Sequence, residues 1–424
     1  MIAAVLISIG FWYWVFHILA PANAAVVFAA HRPIGNNSDL YPRWFGAREL
    51  LLHRRDPYSP EVTREIQTGF YGRPLDPSNP SDPAAQMSFV YPVYVAFLLA
   101  PTIFVPFPTV AIVLRWILLT AVAASVPLWM YAIGLRVRGS ILVAGMLLAI
   151  STSPGMFEYF QQNLAALAVF FLAGAVAAIV GKKPRIAGVL LALSTMKPDT
   201  TGPIVLWLLI WAAANIRNRG RVLWWFVGTL VLLTLGGEFY SPHWIGRFLA
   251  AIREYPAYGT DPSVVQVLVP GPIAVAVTVA LIACICVLVW RCRTADAGSE
   301  RFAWAIALVG ATTLVTLPKL AGYNALLLIP GVVVLIAWYS RSVAHSLLSR
   351  ALTKAAFACQ IWQWLAASVL TFASFVLPAT RMRSVAHLPD YTFIPLWPIT
   401  LAALIAASSQ AAKKPDCTAK SMSV

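Results

Sequence analysis

The chain has 424 residues, 60% of them hydrophobic and only 11% charged, where soluble domains carry about a quarter charged residues. Lipid must therefore solvate most of its surface, which excludes a soluble globular protein. The net charge of +15 does not mark a nucleic-acid binder, because the surplus sits in short connectors between apolar runs, the positive-inside pattern of a multispanning protein.

The first apolar run, 2–20, lacks the basic start and Ala-x-Ala exit of a cleaved leader and reads as a retained helix. Residues 21–88 follow as a first outer loop in which seven acids balance seven arginines, and a loop so long translocates whatever its charge. Within it, Asn36-Asn37-Ser38-Asp39 is a turn or N-cap signal. Leu40–His53 alternates apolar and charged side chains, a pattern fit to lie on the membrane surface. Asp56-Pro57-Tyr58-Ser59-Pro60 ends that helix, a second one is expected around Glu61–Gly69, and Phe89-Val90-Tyr91-Pro92 leads back to the bilayer.

Further apolar segments are expected at 89–105, 110–134, 139–153, 163–181, 186–196, 200–215, 222–240, 271–290, 302–317, 323–340, 357–378 and 393–409. Several fall short of the roughly 20 residues that cross a bilayer, notably 139–153 and 186–196, and such pieces are tolerated where they line a cavity. The basic connectors are Arg136/Arg138, Lys182/Lys183/Arg185, Arg217/Arg219/Arg221, Arg291/Arg293/Arg301 and Arg341/Arg350/Lys354. Taken as cytoplasmic, they leave one conflict: two segments, 89–105 and 110–134, separate the outer loop from Arg136, where an odd number of crossings is needed. Either 89–105 dips in and returns, helped by Pro92, Pro101, Pro106 and Pro108, or the Arg136 connector is outside. The expectation is an all-α polytopic bundle of about 11–13 helices, one domain over 1–410, with a polar cytoplasmic tail at 411–424.

No Walker loop, Gly-rich dinucleotide turn or Asp-x-Asp metal motif occurs. The cysteines (Cys284, Cys286, Cys292, Cys359, Cys417) have no metal spacing and read as core or interfacial thiols. His243 and His387 stand alone in outer loops. Lys197 follows a very short apolar segment, and a lysine at bilayer depth is either functional or snorkels to the interface. Lys319 sits at an outer helix start, where it could meet a lipid phosphate or anchor the interface. Arg247, Arg253, Arg381 and Arg383 lie where positive charge should be scarce, and a bound anionic headgroup or bulk lipid would explain them. Gln161 and Asn163 open a helix from the outer side and could bind sugar hydroxyls or simply cap and pack. Trp44, Tyr91, Trp244 and Tyr255 fit an interfacial aromatic belt, and sugars also stack on such rings.

An acid just after the first helix, the following helix, the Asp-Pro-Tyr that closes it and the Tyr-Pro re-entry together resemble the GT-C superfamily. More narrowly, the chain is similar to the bacterial polyprenol-phosphate-mannose-dependent group, glycosyltransferase family 87. Phe160-Gln161-Gln162-Asn163 resembles that group's Gly-Gln-x-Asn element, with Phe160 in place of the glycine. Ala187-Gly188 with Lys197-Pro198, and Pro318–Leu328, resemble two more of its elements. The resemblance covers residues 1 to about 340.

It implies transfer of a hexose, mannose first, from a polyprenyl-phosphate sugar to a lipid or glycan hydroxyl at the outer face of a multi-pass, bacterial-type membrane. It also implies Asp39 as the catalytic carboxylate; from the residues alone, Asp39 reads first as a helix cap. Lys197, Lys319, Arg253, Arg381 and Arg383 would contact the donor phosphate, and Gln161, Asn163 and Tyr91 the sugar or acceptor. Neither metal nor other cofactor is expected; membrane lipids are partners and nucleic acid is not. The rival readings are a lipid or sugar transporter or flippase, sharing the intramembrane lysine, and an inactive relative serving as an assembly partner, since relatives carry an Asp or His near the position of Gly322.

Overall fold

A computed structural model describes residues 1–29, 38–76, 78–79, 82–83, 85–254, 262–269, 271–317, 321–341 and 346–411. Helices account for the regular structure, with no strand among the described residues.

The first rod joins α1 (Ile2–Trp14) to α2 (Ala20–Ala29) through one π-helical turn, Val15–Leu19. Pro21 explains that turn: it has no N–H for the carbonyl one turn back, and the wider winding absorbs the defect. The rod thus extends well past residue 20, where the sequence placed its end. Beyond the undescribed residues 30–37, α3 (Leu40–His53) ends on Arg54 in the left-handed region (φ 57°). α4 (Pro60–Tyr71) starts at Ser59, whose Oγ accepts the Val62 N–H at 3.2 Å, with Pro60 at the first helical position. α3 does not lie on a surface with one wet face: Arg43, Glu49 and six other residues of it are buried. It packs under α4 and against the re-entry segment, where Phe89 closes on Gly46.

The conflict between the outer loop and Arg136 turns on the length of the first of the two segments. α5 (Val95–Leu99) with the 3₁₀ turn Ala100–Thr102 is eight residues long, at most about 16 Å against a hydrocarbon core of about 30 Å. It is too short to cross on its own, whereas α6 (Phe107–Ile133) is long and apolar enough to do so. α7 (Gly139–Ile150) and α8 (Ser153–Gln161) are apolar together and bent by 58° at their junction, the geometry of a broken span or a re-entrant pair. Thr152 caps α8, and Gly155 sits so close to the Ile150 carbonyl oxygen that a Cβ would come within 2.2 Å of it; the bend needs that glycine.

The bundle continues with α9 (Ala165–Val180), α10 (Pro184–Ser194), α11 (Pro198–Ala213) and α12 (Ile216–Tyr240). After the amphipathic α13 (Trp244–Glu254) and the short α14 (Val264–Leu268) come α15 (Pro272–Trp290) and α16 (Glu300–Thr316). A 3₁₀ stretch, Gly322–Leu328, leads into α17 (Ile329–Tyr339), followed by α18 (Leu347–Ala373), α19 (Ala379–Ser384) and α20 (Phe393–Ala411). Among the described residues seven helices are long and apolar enough to cross a membrane, or eight counting the bent pair. The shorter α9, α10, α11 and α16 pack among them, and α9 and α16 are buried almost throughout.

Two ends of the bundle are chemically distinct. At one, Arg219 donates to the carbonyls of Arg293, Thr294 and Ala295, and Arg341 pairs with Glu300. Gly298 meets Val180 and Gly181 meets Tyr131 at that same end. This basic end gathers the connectors that the charge pattern assigned to one side. At the other end the first loop meets the start of α9, Tyr94 bonds to Thr195, and Asp390 accepts from Ser153.

Candidate active site

Asp39 occupies the N-cap position of α3, yet its side chain makes no capping bond. Its backbone N–H donates to the Gln161 carbonyl at 2.6 Å, and its Oδ2 accepts from Asn163 Nδ2 at 2.8 Å. One residue earlier, Ser38 Oγ donates to Gln162 Oε1 at 2.6 Å. These three bonds stitch the loop to the α8–α9 junction. Local backbone explains the junction's shape: Gln162 ends α8 in the left-handed region (φ 53°), turning the chain so that Asn163 faces the loop and the Gln161 carbonyl is left for the Asp39 N–H.

Asn163 is buried and held from behind. Its Oδ1 accepts the Ala165 N–H at 3.0 Å and the Tyr91 hydroxyl at 3.2 Å. Both ties orient the amide so that its NH₂ points at the carboxylate. The other Asp39 oxygen, Oδ1, meets no hydrogen-bond donor among the described residues. Arg43, one turn into α3, donates to the Asp39 carbonyl at 2.6 Å and lies 4.7 Å over the Tyr91 ring. Burial pushes the Tyr91 hydroxyl above the usual phenol range, against the pull of Lys197 and Arg43.

Lys197 stands in the tight connection between α10 and α11, its side chain 7% exposed. The ammonium lies 3.3 Å from Asp199 and 4.9 Å from the centre of the Tyr323 ring. The charge is therefore neutralised locally by a carboxylate that is itself 46% exposed. Beneath these groups lies Glu158 on α8, wholly buried. The N–H groups of Ala166 and Asn163 face its carboxyl, but neither oxygen reaches a partner at hydrogen-bond geometry. It is close enough to Lys197 and Asp39 to feel both charges. The site thus interleaves two cations, Arg43 and Lys197, with the carboxyls of Asp39, Asp199 and Glu158.

Of the residues expected from sequence, Asp39, Asn163 and Tyr91 meet directly, and Lys197 acts on Tyr91 through its charge. Gln161 takes part through its backbone carbonyl; the amide that bonds the loop is that of Gln162. Arg253 ends α13 and Arg381 and Arg383 lie on α19, all exposed and in no contact with this cluster among the described residues. Lys319 lies outside the described residues. Arg247 pairs with Asp56 at 2.8 Å, a structural tie between α13 and the loop. Trp44 and Trp244 are buried, bonding the carbonyls of Thr102 and Thr234; Tyr255 is outside the described residues. No three or more His, Cys, Asp or Glu side chains come together as a metal centre requires, among the described residues. Sequence reading passed over Glu158, Arg43 and Asp199; an acid inside the apolar stretch between Arg138 and Lys182 was the available signal for Glu158.

The sequence model of glycosyltransferase family 87 matches residues 89–318, more than half of the chain and the part that carries Tyr91, Asn163 and Lys197. No curated protein and no solved structure matches.

Proposed function

The chain belongs to glycosyltransferase family 87, and from that premise we propose that it transfers a hexose from a polyprenyl-phosphate carrier to a lipid or glycan hydroxyl at the outer membrane face. Mannose is the first sugar to test, and the loop end of the bundle is the outer one. The observation that carries the reading is the release of Asp39 from its capping duty: one oxygen is fixed by Asn163, and the other takes no donor among the described residues.

In this reading the acceptor O–H gives its proton to Asp39 while its oxygen attacks the anomeric carbon. The bond from that carbon to the phosphate oxygen breaks, and the electron pair leaves with the polyprenyl phosphate. A single displacement inverts the anomeric centre. Lys197 and Arg43 supply positive charge for the leaving phosphate, the kind of fixed electrostatic help that often dominates catalysis. Lys197 must then share its ammonium between Asp199 and the phosphate. Neither metal nor other cofactor has a part in this scheme.

The test is transfer of labelled mannose from polyprenyl-phosphate mannose in membranes carrying the protein, beside Asp39→Asn. General-base catalysis contributes about 10²–10⁴-fold, so the variant should lose at least about 10²-fold in kcat while inserting normally. Full activity in Asp39→Asn would return that residue to the rank of a helix end.

A further inference from the structure

A second charged site lies at the basic end, far from the loop. Gly188 lets α10 and α12 touch: a Cβ there would fall 2.6 Å from Trp225 Cβ and 2.7 Å from the Phe226 nitrogen. Arg185 is one turn before Gly188 on α10, and Arg221 one turn before Trp225 on α12, so the contact brings both arginines to one place. With Lys183 they line a cavity of about 560 Å³, completed by Pro184, Ile186 and Trp225. The Arg185 guanidinium lies 5.7 Å over the Trp225 ring.

Three cations therefore converge with no acid in the lining. Among the described residues no carboxylate pairs with any of them. The start of α10 adds to the same field, since no side chain caps it and the N–H groups of its first turn point outward. Like charges held together by a backbone contact repel unless an anion joins them, and a phosphate suits guanidinium, ammonium and free N–H groups at once. The surroundings say where that phosphate comes from. Ile186 is 50% exposed and Trp224 69% exposed beside the pocket, an apolar and aromatic rim that belongs at a lipid interface.

We propose that Lys183, Arg185 and Arg221 form a headgroup site for an anionic phospholipid, whose phosphate enters the cavity while its chains lie along Ile186 and Trp224. The site is independent of the transfer reaction and fastens α10, which leads to Lys197, to α12.

Native mass spectrometry of the full-length protein in detergent, with phosphatidylglycerol, phosphatidylcholine or inorganic phosphate added, tests this. Phosphatidylglycerol should be retained and the other two should not. The variant K183Q/R185Q/R221Q should bind it more weakly by about five-fold per cation removed, whereas R136Q/R138Q, charges lost from another connector, should bind as the parent does. If the triple variant does not fold, R185Q alone should show a single step of about five-fold. Undiminished binding by these pocket variants, equal weakening in R136Q/R138Q, or equal retention of inorganic phosphate would overturn the proposal.

Discussion

A carboxylate at the first turn of a helix ordinarily accepts backbone N–H groups of that turn. Asp39 does not, because the amide of Asn163 reaches its Oδ2 first and the Gln161 carbonyl fixes its backbone. A hydrogen bond to a charged group is worth about 1.5–3 kcal/mol. Asn163→Ala should therefore lower kcat about ten-fold or more with little change in KM for the donor, as steady-state transfer kinetics would show. An unchanged kcat would mean the amide does not orient the reacting carboxylate. Asp39, Asn163 and Tyr91 were legible as candidates through the motifs that resemble the family, whereas the turn signal at Asp39 spoke for a helix cap. Sequence could not reveal that Gln162 rather than Gln161 supplies the amide, since that choice rests on one left-handed backbone angle.

α5 and α8 are too short to cross alone, and each ends under the loop where the site is built. The bend at α7–α8 sets where Gln161–Asn163 arrive, and Gly155 permits it by lying against the Ile150 carbonyl. Gly155→Ala forces that contact apart, at about 1–3 kcal/mol of overpacking. The expected result is a protein that still inserts but transfers poorly, measured as activity per folded molecule; unimpaired transfer would show that the bend tolerates opening. The apolar runs made most helices legible, because hydropathy reports length directly. The burial of α3 was not: its alternating pattern suits a surface helix, and only the cover given by α4 and the Phe89 strap places Arg43 and Glu49 inside.

At the scale of the molecule, connector charge calls for the α5 segment to return to the side it left, as its eight-residue length allows. Single cysteines in place of Arg64, Arg136 and Arg217, in a background lacking the native five, make this visible. A membrane-impermeant maleimide should label position 64 from one side and positions 136 and 217 from the other. Labelling of 136 together with 64 would mean that residues 95–102 do cross. The count of crossings was ambiguous in the sequence because composition cannot tell a short dip from a short span.

The bond between Asp39 and Asn163 joins positions 124 apart in the chain. During synthesis at roughly 5–20 residues per second, the loop waits on the order of ten seconds for α6 to α8 to emerge. Until then Asp39 has neither its amide nor its carbonyl partner, so a half-made chain presents only part of the proposed site to the lipids around it. The candidate site is in this sense a late product of insertion, finished only when the turn after α8 closes over the loop.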